Sequence, residues 1–298
     1  MSPAGSGRAR LLIIGASGFV GSNWALAASA HFEVVGAARH PPALGRWVSL
    51  DITDPESVRE AFHDVRPDAV TLLAALSDID RCQREQELAE RINVDGALNV
   101  ARQCAQMGVR LLYTSTDAVF DGTLGVYHEH DPPTPPNWYG ETKARAERSI
   151  AELLPSATIV RPSLVLGKSA LGSGNSYLEK VIGNLRAGNR IISPTFEYRN
   201  PIDVRTLCEF FAELTQREDA TGIFHVGASD KISRFELARM IAERTGHDAD
   251  LVVPQTEPVP GRAPRGADDF LATSRLRKFC RTPVPTCQQV IERALGSA

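Results

Sequence analysis

No run in this chain approaches the roughly 18 apolar residues that a membrane-spanning helix needs. The longest candidate, Ala69 to Leu76, has the length of a strand, so no membrane partner is expected. Cysteine is sparse and unpaired. Cys82, Cys104, Cys208, Cys280 and Cys287 are scattered without a C-x-x-C pair, which speaks against a disulfide framework or a zinc site and for a reduced, cytoplasmic home. A basic excess is also missing: the net charge of -3 and a pI near 6.2 argue against nucleic acid as a partner. The histidines offer no metal triad, and His128 and His130 in an acidic, proline-rich loop read as a loose surface pair. There is no internal repeat or low-complexity tract. Met1 to Arg10 has neither the apolar core nor the cleavage site of a signal peptide and reads as a frayed tail. What remains is 298 residues, 43% hydrophobic and 23% charged, enough for one large globular domain or two small ones.

The chain is organised around Leu11-Leu12-Ile13-Ile14-Gly15-Ala16-Ser17-Gly18-Phe19-Val20-Gly21. Four apolar residues, glycines at three-residue intervals and a helix-prone run predict a buried strand, a tight turn and a helix start. Such a turn sets backbone N–H groups and the positive end of a helix dipole against a phosphate. Gly15 lets the chain turn, Gly18 lets backbone approach a pyrophosphate, and Gly21 lets the helix pack on the strand. The spacing is G-x-x-G-x-x-G rather than G-x-G-x-x-G, so the turn alone is weak evidence and its surroundings must decide.

Those surroundings alternate strands with helices. Glu33 to Ala38, Trp47 to Leu50, Asp68 to Leu73, Arg110 to Tyr113, Ala157 to Arg161 and Gly222 to Val226 read as strands, and the cadence predicts an α/β fold with a doubly wound parallel sheet. Between them, Thr53 and Glu56 stand at capping-box spacing with Pro55 at a helix start, and one long helical segment holds Asn93 and ends at Gly108. Ser233 and Glu236 make a second capping box. Ligands in such sheets sit at the carboxyl ends of strands, where Gly15, Arg39, Ala74 and Ser115 all fall. No carboxylate stands between Gly36 and His40, so Arg39 is placed to take the 2′-phosphate of NADP in preference to NAD. Asp51 and Ile52 follow the third strand, where such a fold would set them beside the adenine.

Tyr139 and Lys143 lie at i and i+4, on one helical face. Lowering a phenol by roughly 3 pKa units takes about 4 kcal/mol. An ammonium about 4 Å away at an effective dielectric of 20 supplies about that amount, so Lys143 is strong enough to tune Tyr139 for proton transfer.

The ordered set Gly15/Gly18/Gly21, Ala74-Ala75, Asn93, Thr114-Ser115-Thr116-Asp117, Tyr139-Gly140-x-x-Lys143 and Arg161-Pro162 resembles the extended short-chain dehydrogenase/reductase superfamily. Within it, Ala74 to Cys82 and Ser115 to Gly122 are similar to the dTDP-4-dehydrorhamnose reductase group. The resemblance implies a Rossmann-type cofactor domain over 1–165, its sheet completed by about 200–227, and a smaller C-terminal substrate-binding region over 166–199 and 228–298. It implies NADPH as cofactor, with Gly15, Ser17, Gly18, Phe19, Val20, Arg39, Asp51, Ile52, Ala74, Ala75, Tyr139, Lys143, Arg161 and Pro162 binding it. In that scheme Thr116 hydrogen-bonds a ketone, Tyr139 donates the proton, and Lys143 binds the nicotinamide ribose and polarises Tyr139. The expected reaction is reduction of a 4-keto sugar nucleotide. Dehydratases of the superfamily place an Asp-Glu pair after the threonine, whereas here Ala118 follows Asp117, which is left to cap the next turn. The substrate is expected to be a nucleotide sugar or another carbonyl compound, with Arg262 and Arg265 available to clamp a diphosphate. Two alternatives stand beside this: an epimerase or reductase on another substrate, and a non-catalytic NADP-binding module like the regulatory β subunit of methionine adenosyltransferase, which belongs to the same group. A homodimer is a superfamily expectation.

Overall fold

The computed structural model describes residues 7–42, 45–172 and 175–296. Its first strand, β1 (Arg10–Ile14), is buried on both faces, which is why its apolar residues run without interruption. Leu11 and Ile13 enter the core on one face of the sheet, Leu12 and Ile14 the core on the other. Arg10 thus opens a strand although the sequence places it in a frayed tail; residues 1–6 of that tail lie outside the described residues.

From β1 the chain runs through α1 (Phe19–Ala28), β2 (Glu33–Ala38), β3 (Trp47–Ser49), α2 (Pro55–Val65), β4 (Ala69–Leu72), α3 (Ile79–Arg84), α4 (Gln86–Glu90), α5 (Ala97–Met107), β5 (Arg110–Thr114), α6 (Trp138–Leu153) and β6 (Thr158–Pro162). There follow β7 (Val165–Leu166), α7 (Tyr177–Arg186), β8 (Ile191–Pro194), β9 (Tyr198–Arg199), β10 (Ile202–Asp203) and α8 (Val204–Thr215). The chain ends with β11 (Gly222–Val226), β12 (Ile232–Ser233), α9 (Arg234–Arg244), β13 (Val252–Gln255), α10 (Ser274–Phe279) and α11 (Cys287–Leu295). Seven strands form one parallel sheet in the order β11-β6-β5-β4-β1-β2-β3. This is the Rossmann order with an added edge strand, and its direction of winding reverses between β1 and β4. The other strands make three two-stranded pairs, β10 with β7, β12 with β9 and β13 with β8.

Two local expectations change. Asp54, not Thr53, caps α2, its carboxylate accepting the Glu56 N–H, because Thr53 turns its hydroxyl back to Asp51. The single helix expected around Asn93 is three helices and a π-helical stretch, Arg91–Gly96, a geometry that often marks functional sites. The capping box of Ser233 and Glu236 on α9 is present.

All five cysteines are free and buried. Burial raises each thiol, Cys82 to about 11 and Cys208 and Cys280 to about 12. Among the described residues no helix is long and apolar enough to cross a membrane.

A charged cluster lies inside the core. Arg161 on β6 is 1% exposed and donates to Glu147 of α6 at 2.6, 2.9 and 3.1 Å, with His225 Nε2 at 3.3 Å. Burial, then the neighbouring guanidinium, pushes His225 down to about 3, so the ring is neutral in the fold. In the unfolded chain the same ring binds a proton near pH 6.5. Between those values the unfolded state holds the extra proton, and stability falls as pH drops from about 6.5 to 3. Urea midpoints at pH 7.5 and 4.5 should show a smaller acid-side loss for His225→Phe than for the unmodified protein; equal losses would mean that this ring does not contribute.

Candidate active site

A cleft of about 750 Å³ opens at the carboxyl ends of the central strands, where the winding reverses. Gly15, Ser17, Gly18, Phe19 and Val20 line it, as do Arg39, Asp51, Ile52, Ala74, Ala75, Thr116, Tyr139 and Pro162. Gly15 has φ +91°, and a Cβ there would stand 2.6 Å from the Ala74 nitrogen. A Cβ on Gly21 would stand 2.1 Å from the Gly15 oxygen, so both are fixed by internal packing. Gly18 is different: a Cβ there would meet only the Gly15 oxygen, at 3.4 Å. The space beside it belongs to the cleft. Gly18 is also the N-cap of α1 and brings no side-chain acceptor, so the positive end of that helix faces the cleft uncapped. These features fit a dinucleotide pyrophosphate.

At one end of the cleft Arg39 is exposed beside Asp51, whose Oδ1 accepts from the Thr53 N–H at 2.9 Å and its hydroxyl at 2.8 Å. Burial pulls that carboxyl upward, but the Thr53 hydrogen bonds and the charges of Arg39 and Arg91 hold it below its ordinary value. Arg81, Leu88 and Arg91 also line the cleft, Arg91 within reach of Asp51, although they lie on helical segments whose pattern gives no sign of it. Gly96 was the available signal: a Cβ there would stand 2.7 Å from Ile52, so the π-helical stretch presses directly on the strand end that carries Asp51.

At the other end β5 delivers Ser115 and Thr116 to the floor. Thr116 begins the short 3₁₀ turn Asp117–Val119 and its hydroxyl accepts the Ala118 N–H at 3.1 Å. The turn is therefore capped by Thr116, not by Asp117 as the sequence implied. Asp117 instead receives the Thr116 hydroxyl at 3.1 Å, the Ser163 hydroxyl at 3.2 Å and Arg199 Nε at 3.3 Å. Helix α6 brings Tyr139 to Thr116 by backbone contact, since a Cβ on Gly140 would stand 2.0 Å from the Ala118 oxygen. Asn137 caps this helix through the Gly140 N–H at 2.9 Å. Tyr139 and Thr116 both line the cleft there. Asn93 braces the same region, accepting from Leu76 N at 2.8 Å and donating to Leu76 O and Thr142 Oγ1, both at 3.1 Å.

Lys143 departs from its expected part. It is 2% exposed and does not line the cleft; its Nζ donates to Thr114 O at 2.8 Å and lies 4.2 Å from the Tyr113 ring centroid. Burial lowers it to about 7 against the opposing pull of Glu147. Tyr139 moves the other way. Burial raises its phenol above the ordinary value and Asp117 reinforces this, while Thr116 opposes it. At neutral pH Tyr139 keeps its proton, which suits a donor.

Arg161 is a second correction. It does not line the cleft, because its guanidinium is consumed by Glu147 in the core, and only the neighbouring Pro162 reaches the cavity. Arg262 and Arg265 are also engaged, Arg262 with Glu197 at 3.0 Å and Arg265 with Asp80 at 2.8 Å. The Arg265 hydrogen bonds draw Asp80 down to about 2. Neither guanidinium is a free clamp. His128 and His130 stack at 5.6 Å.

The family model described as "RmlD substrate binding domain" matches residues 9–298. The β subunit of methionine adenosyltransferase 2 from Pongo abelii is 29% identical over 87% of this chain and 79% of its own length. A dTDP-4-dehydrorhamnose reductase from Mycobacterium tuberculosis is also 29% identical, over 97% of this chain and 93% of its own. Among solved structures, the dTDP-4-dehydrorhamnose reductase of Bacillus anthracis in complex with NADP has a TM-score of 0.88 at 26% identity, covering 98% of this chain and all of that one.

The Gly140 contact generates a test. Gly140→Ala forces α6 off the 3₁₀ turn, and a displacement near 1 Å in catalytic geometry costs on the order of 100-fold in rate. Turnover should fall about that far while cofactor affinity, governed at the distant glycine turn, stays within about twofold; unchanged turnover would show that the contact does not set the site.

Proposed function

The chain belongs to the RmlD substrate binding domain family, and from that premise we propose that it is an NADPH-dependent reductase of a 4-keto sugar nucleotide, like dTDP-4-dehydrorhamnose reductase. The observation that carries this reading is that Tyr139 and Thr116 line one cleft together with the uncapped N-terminus of α1. NADPH supplies the hydride. The α1 terminus with Gly15, Ser17 and Gly18 holds the pyrophosphate, Arg39 the 2′-phosphate, and Asp51 and Ile52 the adenine side. Tyr139 holds a proton for the ketone oxygen and releases it as negative charge grows there, so that its hydrogen bond strengthens toward the transition state. Ala118, where dehydratases carry a glutamate, leaves no second proton carrier for elimination. Residues 166–199 and 228–298 bind the sugar nucleotide, and the pairing of Asp80 with Arg265 joins that region to the cofactor side. A cytoplasmic homodimer completes the reading.

The likeness to the methionine adenosyltransferase β subunit favours a second reading, a module that binds NADP without turning it over. The purified protein mixed with NADPH and dTDP-4-dehydrorhamnose separates the two, since absorbance loss at the nicotinamide band requires turnover. Tyr139→Phe removes the proton donor and should lower kcat by about 100- to 10,000-fold. Cofactor binding with no oxidation on this or any other keto sugar would favour the module.

Arg39→Ala tests the cofactor assignment. Losing one guanidinium–phosphate contact of about 1.5–3 kcal/mol should raise the KM for NADPH roughly 10- to 100-fold and leave that for NADH nearly unchanged. Equal effects on both cofactors would remove Arg39 from the 2′-phosphate.

A further inference from the structure

The side-chain amide of Asn137 is buried and engaged at both ends. Its oxygen accepts the Gly140 N–H at 2.9 Å, and its nitrogen donates to the Pro264 carbonyl at 2.9 Å. These partners allow the amide one orientation, since an N–H cannot accept and a carbonyl cannot donate. Pro264 belongs to a strap, residues 262–266, that follows β13 and joins no sheet. Residues 256–261 before it are exposed, and the proline lacks the donor a strand would need. Side chains hold the strap instead. Asp80 of α3 accepts the Ala263 N–H at 2.9 Å and Arg265 Nη1 and Nη2 at 2.9 and 2.8 Å, and Glu197 pairs with Arg262 at 3.0 Å. Helix α6 also meets α3 directly, because Gln83 Oε1 accepts the Trp138 N–H at 3.0 Å. Strap, α3 and the first turn of α6 thus close a ring of contacts beside Tyr139.

We propose that Asn137 is a positioning residue that docks this strap on the helix carrying Tyr139, so that the C-terminal region and the proton donor keep one register. The catalytic purpose rests on the reductase reading; the docking involves only groups of this chain. Two requirements select asparagine. A cap of α6 needs an acceptor, which aspartate or serine supplies as well. A dock for Pro264 needs a donor beside that acceptor. Aspartate has none, and the single oxygen of serine cannot stand in both places.

The other anchors of the strap leave this role open to Asn137. Downstream the backbone is fixed, with Ala267 N donating to Asp121 O and Asp268 N to Gly122 O, both at 3.3 Å. A Cβ on Gly266 would stand 2.0 Å from Asp269 Oδ1, so the strap ends in close packing. Upstream, Arg262 and Glu197 tie it within the C-terminal region itself. Between these ends Asp80 fixes the strap to α3 and Asn137 fixes it to α6. Without the Asn137 donor the strap stays on α3, while the first turn of α6 loses its direct tie to it.

Backbone hydrogen exchange at single-amide resolution, read at Gly140 and Ala263, needs no turnover. In Asn137→Asp and Asn137→Ser the Gly140 N–H should keep its protection within about twofold, because both replacements cap. The Ala263 N–H should exchange roughly fivefold faster, the share of one neutral hydrogen bond. Unchanged exchange at Ala263, or an equal loss at Gly140, would overturn the proposal. With NADPH and dTDP-4-dehydrorhamnose, both variants should lower kcat about tenfold and leave the KM for NADPH within about twofold, whereas a residue that only caps would be replaced without loss. Full kcat in either variant would overturn the positioning role, and a loss in Asn137→Asp alone would reduce it to an effect of charge. Asp80→Ala frees the strap from α3; adding Asn137→Ser to it should cost less than in the unmodified protein, and losses that multiply in full would overturn the coupling. If the unmodified protein turns over no keto sugar, the reductase reading fails while the exchange comparison still decides the docking.

Discussion

The site depends on one contact between two pieces of backbone. Helix α6 rests on the 3₁₀ turn at Gly140 and Ala118 with no room for a methyl group, and this contact makes Tyr139 and Thr116 neighbours although 23 positions of sequence separate them. The parallel sheet places β5, and so Thr116, at the cleft. The proline-rich loop before α6 and the Asn137 cap decide where that helix begins. The position of Tyr139 in the cleft requires that these two segments touch as closely as they do.

Much of the fold was legible because its causes are local. Uninterrupted apolar runs mark strands buried on both faces, and the capping box read at Ser233 and Glu236 opens α9. What escaped was decided by competition among neighbours. Thr53 has the residue type of a cap, yet Asp51 takes its hydroxyl and Asp54 takes its place. The π-helical turn at Arg91–Gly96 has no sequence period of its own; it follows from packing against Ile52 and from the bonds Asn93 makes.

The site divides the same way. Residues whose role depends on backbone shape, such as Gly15 and Gly21, could be read from residue type and spacing. Those whose role depends on which partner wins could not. Arg161 has the charge for a phosphate but lies opposite Glu147 in the core. Lys143 has the spacing to act on Tyr139, but burial lowers its pKa and its ammonium donates to the Thr114 carbonyl. Arg262 and Arg265 meet carboxylates more than 60 positions away, a pairing only the folded chain reveals.

The buried cysteines have a practical consequence. Each thiol is raised by its surroundings, so the thiolate that reacts with maleimides or peroxide is scarce at neutral pH in the folded protein. A cysteine introduced at an exposed position on the rim of the cleft would stand alone as a reactive handle, and a fluorophore placed there could follow ligand entry without first deleting the native five.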